Sequence, residues 1–206
     1  MSMSLDGFVA GPNQSVDHPL GVGGEGLHEW IYPLAAWRGP QGLEGGEVNA
    51  STPLLEESQA NIGATIMGRN MFGGGPGPWS AEPWNGWWGD EPPFHHPVFV
   101  LTHYPREPLV LKGGNAFTFV TDGVESALEQ AKRAARGRDV SLGGGARAAQ
   151  QYLAAGLVDE MLINLVPILL GDGERLFDGL GARRPELEPI STIAAPGVWH
   201  LRFRVR

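Results

Sequence analysis

The chain has 206 residues and a mass of 22.1 kDa, and its 42% hydrophobic residues predict one globular domain over residues 1–206. It has no cysteine, which excludes disulfides, thiolate metal sites and a cysteine nucleophile. A formal net charge of −8 argues against general binding to nucleic acid or anionic membranes. Because no apolar run approaches the roughly 18 residues of a membrane helix and no signal-like start is present, we expect a cytoplasmic protein without a membrane partner.

The first third of the chain predicts two strands and two helices. One helix is expected where apolar residues recur at helical spacing before the stop signal Gly39-Pro40, and another follows the start signal Ser51-Thr52-Pro53. The first strand alternates in part, and the second is a short apolar run that ends at Gly68-Arg69. The predicted bounds are a strand over residues 2–10, a helix over 25–38, a helix over 54–61 and a strand over 64–67.

Residues 73–93 are rich in glycine and proline and predict neither a helix nor a central strand. Four tryptophans lie in this segment, whereas a disordered linker is poor in aromatic residues. We therefore predict an ordered loop that packs on the domain and covers a pocket. The alternative is a loop that covers the core and has no role in binding.

The rest of the chain predicts alternating strands and helices, followed by a hairpin. Asp122 is the expected N-cap of a helix that Gly137 ends, and a Gly143-Gly144-Gly145 turn precedes another helix. Strands that alternate with helices are expected to be parallel neighbours. The Pro196-Gly197 turn predicts a closing antiparallel hairpin. The predicted strands cover residues 97–101, 116–120, 140–142, 158–166, 187–195 and 198–205, and the second helix covers 146–155.

Candidate binding residues follow the predicted strands, because ligands of open α/β sheets bind beyond the carboxyl ends of the strands. Gly68-Arg69, Thr102-His103 and residues 143–147 each come directly after a strand. The glycine triplet before a helix is typical of a pyrophosphate site, and Arg69, His103 and Arg106 could pair with further phosphate. The alternatives are a simple tight turn for the glycines and a solvated surface position for Arg69.

Five ordered segments carry a resemblance to a known family. They are residues 4–10 (Ser-Leu-Asp-Gly-Phe-Val-Ala), 66–69 (Ile-Met-Gly-Arg), 100–102 (Val-Leu-Thr), 142–145 (Leu-Gly-Gly-Gly) and 167–173 (Pro-Ile-Leu-Leu-Gly-Asp-Gly). Together they resemble the dihydrofolate reductase-like superfamily, most closely the branch with the reductase domain of the bacterial riboflavin biosynthesis deaminase-reductase. The resemblance implies an α/β fold with a mostly parallel central sheet flanked by helices and a C-terminal antiparallel hairpin. It also implies that NADPH lies across the carboxyl ends of the strands.

The resemblance further implies a set of site residues. The expected cofactor-binding residues are Gly7, Ala10, Gly68, Arg69, Asn70, Thr102, His103, Arg106, Gly143, Gly144, Gly145, Ala146 and Arg147. The expected substrate-binding residues are Phe8, Trp30, Trp88, Leu169 and Leu170. The expected catalytic residues are Asp6, in the segment that resembles the part beside nicotinamide, and Glu29, as the inward-leaning carboxylate of the first helix.

We therefore expect a reductase that transfers a hydride from NADPH to a small, flat, heterocyclic substrate. The alternative is a binding module of the same fold without turnover. His95-His96 has no further ligand at metal-binding spacing, so no metal is expected. A homodimer is expected, because members of the resembling branch commonly form one. The apolar face of the hairpin contains Trp199, Leu201, Phe203 and Val205. If this face packs on the domain's own helices, the opposite face, with His200, Arg202, Arg204 and Arg206, is left for a second copy. The alternative is a monomer whose arginines are solvated.

Overall fold

A computed structural model describes residues 1–80, 84–181 and 185–206. The part of the predicted loop over residues 73–93 that comprises residues 81–83 lies outside the described residues. The chain divides into two compact units, of which the first contains Met1–Ser58 and Ala149–Arg206 and the second contains Gln59–Ala148. The single domain stays a prediction, and each unit is considered separately below.

The described elements alternate between strands and helices for most of the chain. The strands are β1 Ser2–Ser4, β2 Phe8–Ala10, β3 Ile62–Gly68, β4 Pro97–Leu101, β5 Leu109–Val110, β6 Ala116–Val120, β7 Asp139–Gly144, β8 Glu160–Val166, β9 Glu174–Arg175, β10 Leu187–Ala195 and β11 Val198–Val205. The helices are α1 Ala35–Arg38, α2 Ser51–Ala60, α3 Arg69–Phe72, α4 Val124–Ala135 and α5 Ala146–Ala155, with short 3₁₀ turns at Gly24–Leu27, Gly39–Gln41 and Lys112–Gly114.

The second unit contains a five-stranded sheet in the order β5-β6-β4-β3-β7. Four of its strands are parallel, and only β5 pairs antiparallel. The apolar run of β3 is buried on both faces, as is typical of a parallel strand covered by other elements. Helix α4 packs on β3, β4 and β7 through its buried alanines Ala127, Ala131 and Ala135. This mixed α/β architecture with a sheet rich in parallel strands confirms the predicted fold class.

The first unit contains a four-stranded sheet in the order β1-β8-β11-β10. Strand β1 is parallel to β8, and β11 is antiparallel to both β8 and β10, so the predicted terminal hairpin is present. Strand β2 pairs with β9 in a separate two-stranded sheet. Strand β10 lies at the edge of the four-stranded sheet and contains Pro189, with a register irregularity next to it. Proline has no N–H to donate, so this edge is less able to pair with a strand of another chain.

Two N-terminal predictions are wrong in detail. The predicted strand over residues 2–10 is broken into β1 and β2 by a turn at Gly7, whose φ of 93° suits glycine. The predicted helix over residues 25–38 is instead a 3₁₀ turn, further turns and the short α1. Pro33 lies in the middle of this segment, and a proline there removes one helical hydrogen bond and clashes with the preceding turn. The predicted buried stripe nevertheless exists, because Leu27, Trp30, Ile31 and Leu34 are all buried.

Two further predictions about connections and caps are also wrong. Strands β7 and β8 are not parallel neighbours, because β8 pairs with β1 and β11 in the other sheet. Asp122 is not the N-cap of α4, since the N-cap is Gly123, which has no side chain to bond to the helix. Thr121 donates its hydroxyl hydrogen bond to Asp122 instead. Both predictions used residues next to each other in the sequence, whereas strand pairing and helix capping also depend on residues that are close only in the folded chain.

The apolar face of the hairpin is not fully buried, and one residue of the opposite face is buried. His200 is 1% exposed, whereas Trp199 on the other face is 43% exposed. The cations are also engaged within the chain. Arg202 forms salt bridges of 2.8 Å with both Glu57 and Glu160, and Arg204 and Arg206 pair with Glu188. The cationic face is therefore largely neutralised by the chain's own carboxylates.

The longest helix in the described parts of the chain has 12 residues. None of these helices is long and apolar enough to cross a bilayer.

Candidate functional site

The carboxyl ends of four parallel strands lie side by side in the second unit. Gly144 of β7 pairs with Met67 of β3 after a register shift, Gly68 pairs with Leu101 of β4, and Leu101 pairs with Val120 of β6. The segments that follow these ends contain most of the predicted cofactor-binding residues. The structure therefore brings Gly68, Thr102 and the turn after β7 to one edge of one sheet, where α/β proteins bind ligands.

The glycine turn joins β7 to α5 and leaves space at its centre. A Cβ atom built on Gly145 meets no heavy atom within 4 Å, so a ligand has room to approach the backbone. Gly68 lies against the same turn, because a Cβ at Gly68 would be 3.6 Å from the Gly145 nitrogen. The Gly144–Gly145 peptide is cis. Ala146 and Arg147 follow as the first residues of α5, so the start of a helix lies next to the turn.

Arg69 is held firmly at the end of β3. Its Nε donates to the Gly73 carbonyl at 3.0 Å and its Nη2 donates to the Gly74 carbonyl at 3.1 Å. Its guanidinium lies over Trp79, with Cζ 3.2 Å from the ring centroid. The remaining Nη1 is buried without a hydrogen-bond partner. Burial, and then the positive charge of Arg106, lower the pKa of Arg69 from its ordinary value.

Arg106 lies on the same aromatic cluster as Arg69. Its Cζ is 4.9 Å from the centroids of both Trp79 and Phe119. It donates hydrogen bonds to the Trp84 carbonyl and to Asn85 Oδ1. Burial lowers its pKa as well. None of the salt bridges in the described parts of the chain involves either arginine, so two guanidinium groups share one indole without a paired carboxylate there.

Other predicted cofactor residues in this unit differ in accessibility. Thr102 is buried, and its hydroxyl oxygen accepts a hydrogen bond from the Tyr104 N–H at 3.2 Å. His103 and Asn70 are exposed next to the strand ends. Thr102 thus shapes the backbone turn after β4, whereas His103 and Asn70 are accessible to a ligand.

The described tryptophans of the loop pack against the sheet of the second unit. Trp79, Trp84 and Trp88 contact a core cluster that contains Phe72 and Phe117. Trp88, a predicted substrate residue, packs edge-on to Phe94 at 4.9 Å and stacks with Phe117 at 6.3 Å. The described tryptophans thus pack on the sheet, while an ordered loop over residues 73–93 and its role as a pocket cover stay predictions.

The first unit contains Asp6, a predicted catalytic residue, as the centre of a hydrogen-bond network. Asp6 accepts from the Ser4 hydroxyl at 2.6 Å and from the backbone N–H groups of Leu170 at 3.2 Å and Gly171 at 2.8 Å. The Ser4 hydrogen bond, followed by those backbone donors, lowers the pKa of Asp6 to about 2, although desolvation acts in the opposite direction. The carboxylate therefore fastens the segment after β8 to the segment after β1.

Arg175 connects β9 to the same region. Its Nη1 donates to the Asp6 carbonyl oxygen at 2.9 Å, and its guanidinium lies over Phe8, with Cζ 4.3 Å from the ring centroid. Gly7 lies beside Arg175, and Phe8 and Ala10 are buried in β2. Sequence reasoning missed Arg175. Its position in the segment 167–177, next to the glycines of that segment, was the available signal.

The remaining predicted residues of the first unit lie in unlike environments. Glu29 is exposed, which contradicts its expected inward orientation and follows from the absence of the predicted helix. Trp30 is buried in a core cluster, and its Nε1 lies 3.1 Å from the Leu27 carbonyl and 3.3 Å from Ser2 Oγ. Leu169 is 72% exposed, whereas Leu170 is half-buried. Of the three predicted substrate residues in this set, Leu169 has the side chain most accessible to a ligand.

No group of three or more histidine, aspartate or glutamate side chains in the described ranges is placed to hold a metal ion. His96 Nε2 lies 2.7 Å from Thr65 Oγ1, and His95 Nδ1 lies 3.0 Å from the Gly113 carbonyl oxygen. The two histidines thus have separate structural partners.

Three solved structures are similar to this chain in fold. The Shewanella sp. PV-4 structure of a protein assigned to riboflavin biosynthesis has a TM-score of 0.62 and 21% identity, covering 99% of this chain and 95% of that chain. A Thermotoga maritima diaminohydroxyphosphoribosylaminopyrimidine deaminase/5-amino-6-(5-phosphoribosylamino)uracil reductase has a TM-score of 0.56 and 14% identity, covering 99% and 54%. Acinetobacter baumannii RibD has a TM-score of 0.53 and 17% identity, covering 99% and 56%.

These likenesses concern the fold, and the chain spans about half the length of the Thermotoga and Acinetobacter proteins. No curated protein sequence matches the chain. The model of the RibD C-terminal domain matches residues 1–201. The chain therefore belongs to the RibD C-terminal domain family.

Proposed function

We propose that this protein is an NADPH-dependent reductase that transfers a hydride to a small, flat heterocycle, a pyrimidine of the kind used in riboflavin biosynthesis. Family membership supports an oxidoreductase. The substrate class is supported by the Thermotoga relative, whose name includes a 5-amino-6-(5-phosphoribosylamino)uracil reductase. A cytoplasmic location, with no nucleic-acid or membrane partner, accords with the charge and the absence of cysteine.

The single observation that carries the proposal is the row of strand ends in the second unit. The open space at Gly145, the start of α5 and the unpartnered Nη1 of Arg69 together form a donor set for phosphate groups. These residues fit a dinucleotide that carries an extra phosphate. We assign residues 143–147 to the pyrophosphate, and Arg69 with Arg106 to the 2′-phosphate.

The cofactor, when bound, supplies the hydride, and the protein supplies binding and orientation. In the second unit, Gly68 and the turn at residues 143–145 give the backbone close access to a ligand, while His103 and Asn70 line the same edge of the sheet. In the first unit, Asp6 and Arg175 fasten the segments around Phe8 and Leu169. Fixed loops of this kind lower the entropic cost of aligning two reactants.

Asp6 is better suited to positioning than to proton transfer. A carboxyl group with a pKa of about 2 is ionised at neutral pH and has no proton to donate. Its oxygens already accept hydrogen bonds from Ser4, Leu170 and Gly171. We therefore propose that Asp6 holds the turn after β8, and that the solvated Glu29 has no catalytic role.

A second candidate function is a ligand-binding module of the same fold without turnover. It is favoured by one observation: neither predicted catalytic carboxylate, Asp6 nor Glu29, is placed as a proton donor. Such a module would bind NADPH and would not oxidise it.

We also propose a homodimer, with a different surface from the one first expected. On one face of the four-stranded sheet, Trp199 pairs with Leu165 and Phe203 pairs with Met161, and these side chains are partly or largely exposed. An exposed apolar sheet face of this kind is typical of an interface, and a standard two-fold interface buries about 1,600 Å².

The cofactor assignment is tested by titrating the protein with NADPH and NADH and following nicotinamide fluorescence. We expect NADPH to bind at least about tenfold more tightly, equivalent to about 1.4 kcal/mol. Equal affinities would remove the assignment of Arg69 and Arg106 to the 2′-phosphate. Absence of binding by either nucleotide would contradict the proposed function.

A further inference from the structure

Trp79 is fixed in the second unit by contacts on several sides. Its ring packs edge-on to Phe119 at 5.0 Å and to Phe72 at 5.9 Å. Its Nε1 donates to the Tyr104 carbonyl oxygen at 3.0 Å. The indole thus links the glycine-rich loop to the ends of β4 and β6, and it forms a rigid aromatic surface next to the strand ends.

Arg69 rests on that surface in a single orientation. The Cζ atom lies 3.2 Å from the centroid of Trp79, while Nε and Nη2 donate to two loop carbonyls. A planar guanidinium held on one face and along one edge has lost most of its freedom to rotate. Its third nitrogen, Nη1, then has a fixed position.

Nη1 of Arg69 is buried and has no hydrogen-bond partner. A buried charged donor without a partner is costly, and the positive charge of Arg106, whose Cζ lies 4.9 Å from the same ring centroid, increases that cost. An anion would relieve both effects, because it would accept from Nη1 and offset the repulsion between the two cations. The arrangement therefore favours an acceptor of the phosphate type.

We infer that Trp79 is a positioning residue that sets the preference for a 2′-phosphorylated cofactor by holding the Arg69 guanidinium. This inference rests on the proposed function, since it assigns the Arg69 site to the 2′-phosphate. Trp79 does not bond to the phosphate itself. It fixes the direction of Nη1, the donor that we assign to a phosphate oxygen.

The test uses two small probes that differ only in the 2′-phosphate, adenosine 2′,5′-bisphosphate and adenosine 5′-monophosphate. Calorimetric titration of the full chain gives the ratio of their affinities. We expect the wild-type protein to favour the bisphosphate by at least about tenfold. Trp79→Leu should reduce this ratio at least about fivefold and leave the affinity for the monophosphate unchanged, because the adenosine contacts are not altered.

Two further variants separate positioning from general packing. Trp79→Phe keeps an aromatic face for Arg69 and loses the bond to Tyr104, so it should restore most of the ratio. Trp37→Leu is the matched control, because Trp37 lies in the first unit, packs on Tyr32 at 6.1 Å and should leave the ratio at the wild-type value. Far-ultraviolet circular dichroism establishes that each variant is folded.

The outcomes distinguish this inference from the function on which it rests. A wild-type protein that binds neither probe, or both equally, overturns the proposed cofactor site. A wild-type preference that persists in folded Trp79→Leu overturns the role of Trp79 and leaves the cofactor site intact. Tighter binding of the bisphosphate by Trp79→Leu also overturns it, because the indole would then obstruct the phosphate.

Discussion

The hydroxyl oxygen of Ser51 lies 2.8 Å from Nε2 of His200, and both residues are buried in the first unit. On the other side of the ring, Nδ1 lies 2.8 Å from Asn164 Oδ1. Because an amide oxygen only accepts, Nδ1 carries a proton. Burial lowers the pKa of His200 and favours the neutral ring, in which Nε2 accepts from Ser51. The edge of Trp30 packs against this ring at 5.1 Å.

This network predicts that acidification destabilises the protein. Burial lowers the pKa of His200 below its ordinary value of 6.5, so the unfolded chain binds a proton more readily than the folded chain. The stabilisation is present above pH 6.5 and decreases as the pH falls, by at most about 1.4 kcal/mol per pH unit for one proton. Urea unfolding between neutral and mildly acidic pH measures this slope.

His200→Gln is the control, because it removes the titrating ring and keeps polar atoms at the site. We expect the free energy of unfolding of this variant to depend less steeply on pH than that of the wild type. Parallel pH profiles would show that His200 does not produce the loss of stability.

The close backbone contact at Gly173 predicts that one added methyl group strongly lowers the free energy of unfolding. Its φ is +132°, and a Cβ atom would lie 2.1 Å from the Ala10 carbonyl oxygen. Gly173→Ala should therefore lower the free energy of unfolding by at least about 1 kcal/mol more than Gly171→Ala, which shares a positive φ and has open space around it. Equal losses in chemical denaturation would contradict the close approach of the backbones.

If Asp6 positions the turn after β8, its replacement should lower stability without changing the pH dependence of the reaction. Asp6→Asn replaces an acceptor with a donor next to a backbone N–H group, so the turn at residues 170–171 should loosen and the thermal midpoint should fall. The pH dependence of kcat between about pH 5 and 9 should keep its shape, since the carboxylate is ionised throughout this range. Loss of one limb of the profile would indicate that Asp6 takes part in proton transfer.

The exposed sheet face predicts which substitutions weaken the proposed dimer. Trp199→Ser removes a large apolar side chain from that face and should shift sedimentation towards a 22.1 kDa species at micromolar concentration. Arg204→Glu lies on the opposite face and should leave the dimer intact. A protein that sediments as a monomer at every concentration contradicts the proposed interface.

Local signals predicted many elements of the fold. Strands β4, β6, β10 and β11 and helix α5 have the predicted bounds, because periodicity and flanking turn residues specify them within a few positions. The predicted helix over residues 25–38 failed at Pro33, a local signal of equal strength. The prediction of which hairpin residues are buried was wrong for another reason. His200 is satisfied by Ser51 and Asn164, which are distant in sequence, and local alternation carries no information about such partners.

The candidate site was also predictable only in part. Gly68, Thr102 and the glycine turn lie together because parallel strands place their carboxyl ends at one edge, which is a property of the fold class. The contact of Trp79 with Arg69 was not predictable, since a loop rich in glycine and proline has no periodicity that fixes side-chain directions. The exposure of Glu29 followed from the lost helix.

Hydride transfer itself is the most direct test of the proposed function. The measurement is the loss of NADPH absorbance when the full chain is mixed with a 5-amino-6-(5-phosphoribosylamino)uracil-type pyrimidine, with Gly145→Val as the control that fills the open space at the turn. We predict steady oxidation of NADPH by the wild type and at least about a tenfold lower kcat/KM for the folded variant. Tight binding of NADPH without oxidation would contradict the reductase and favour the silent binding module.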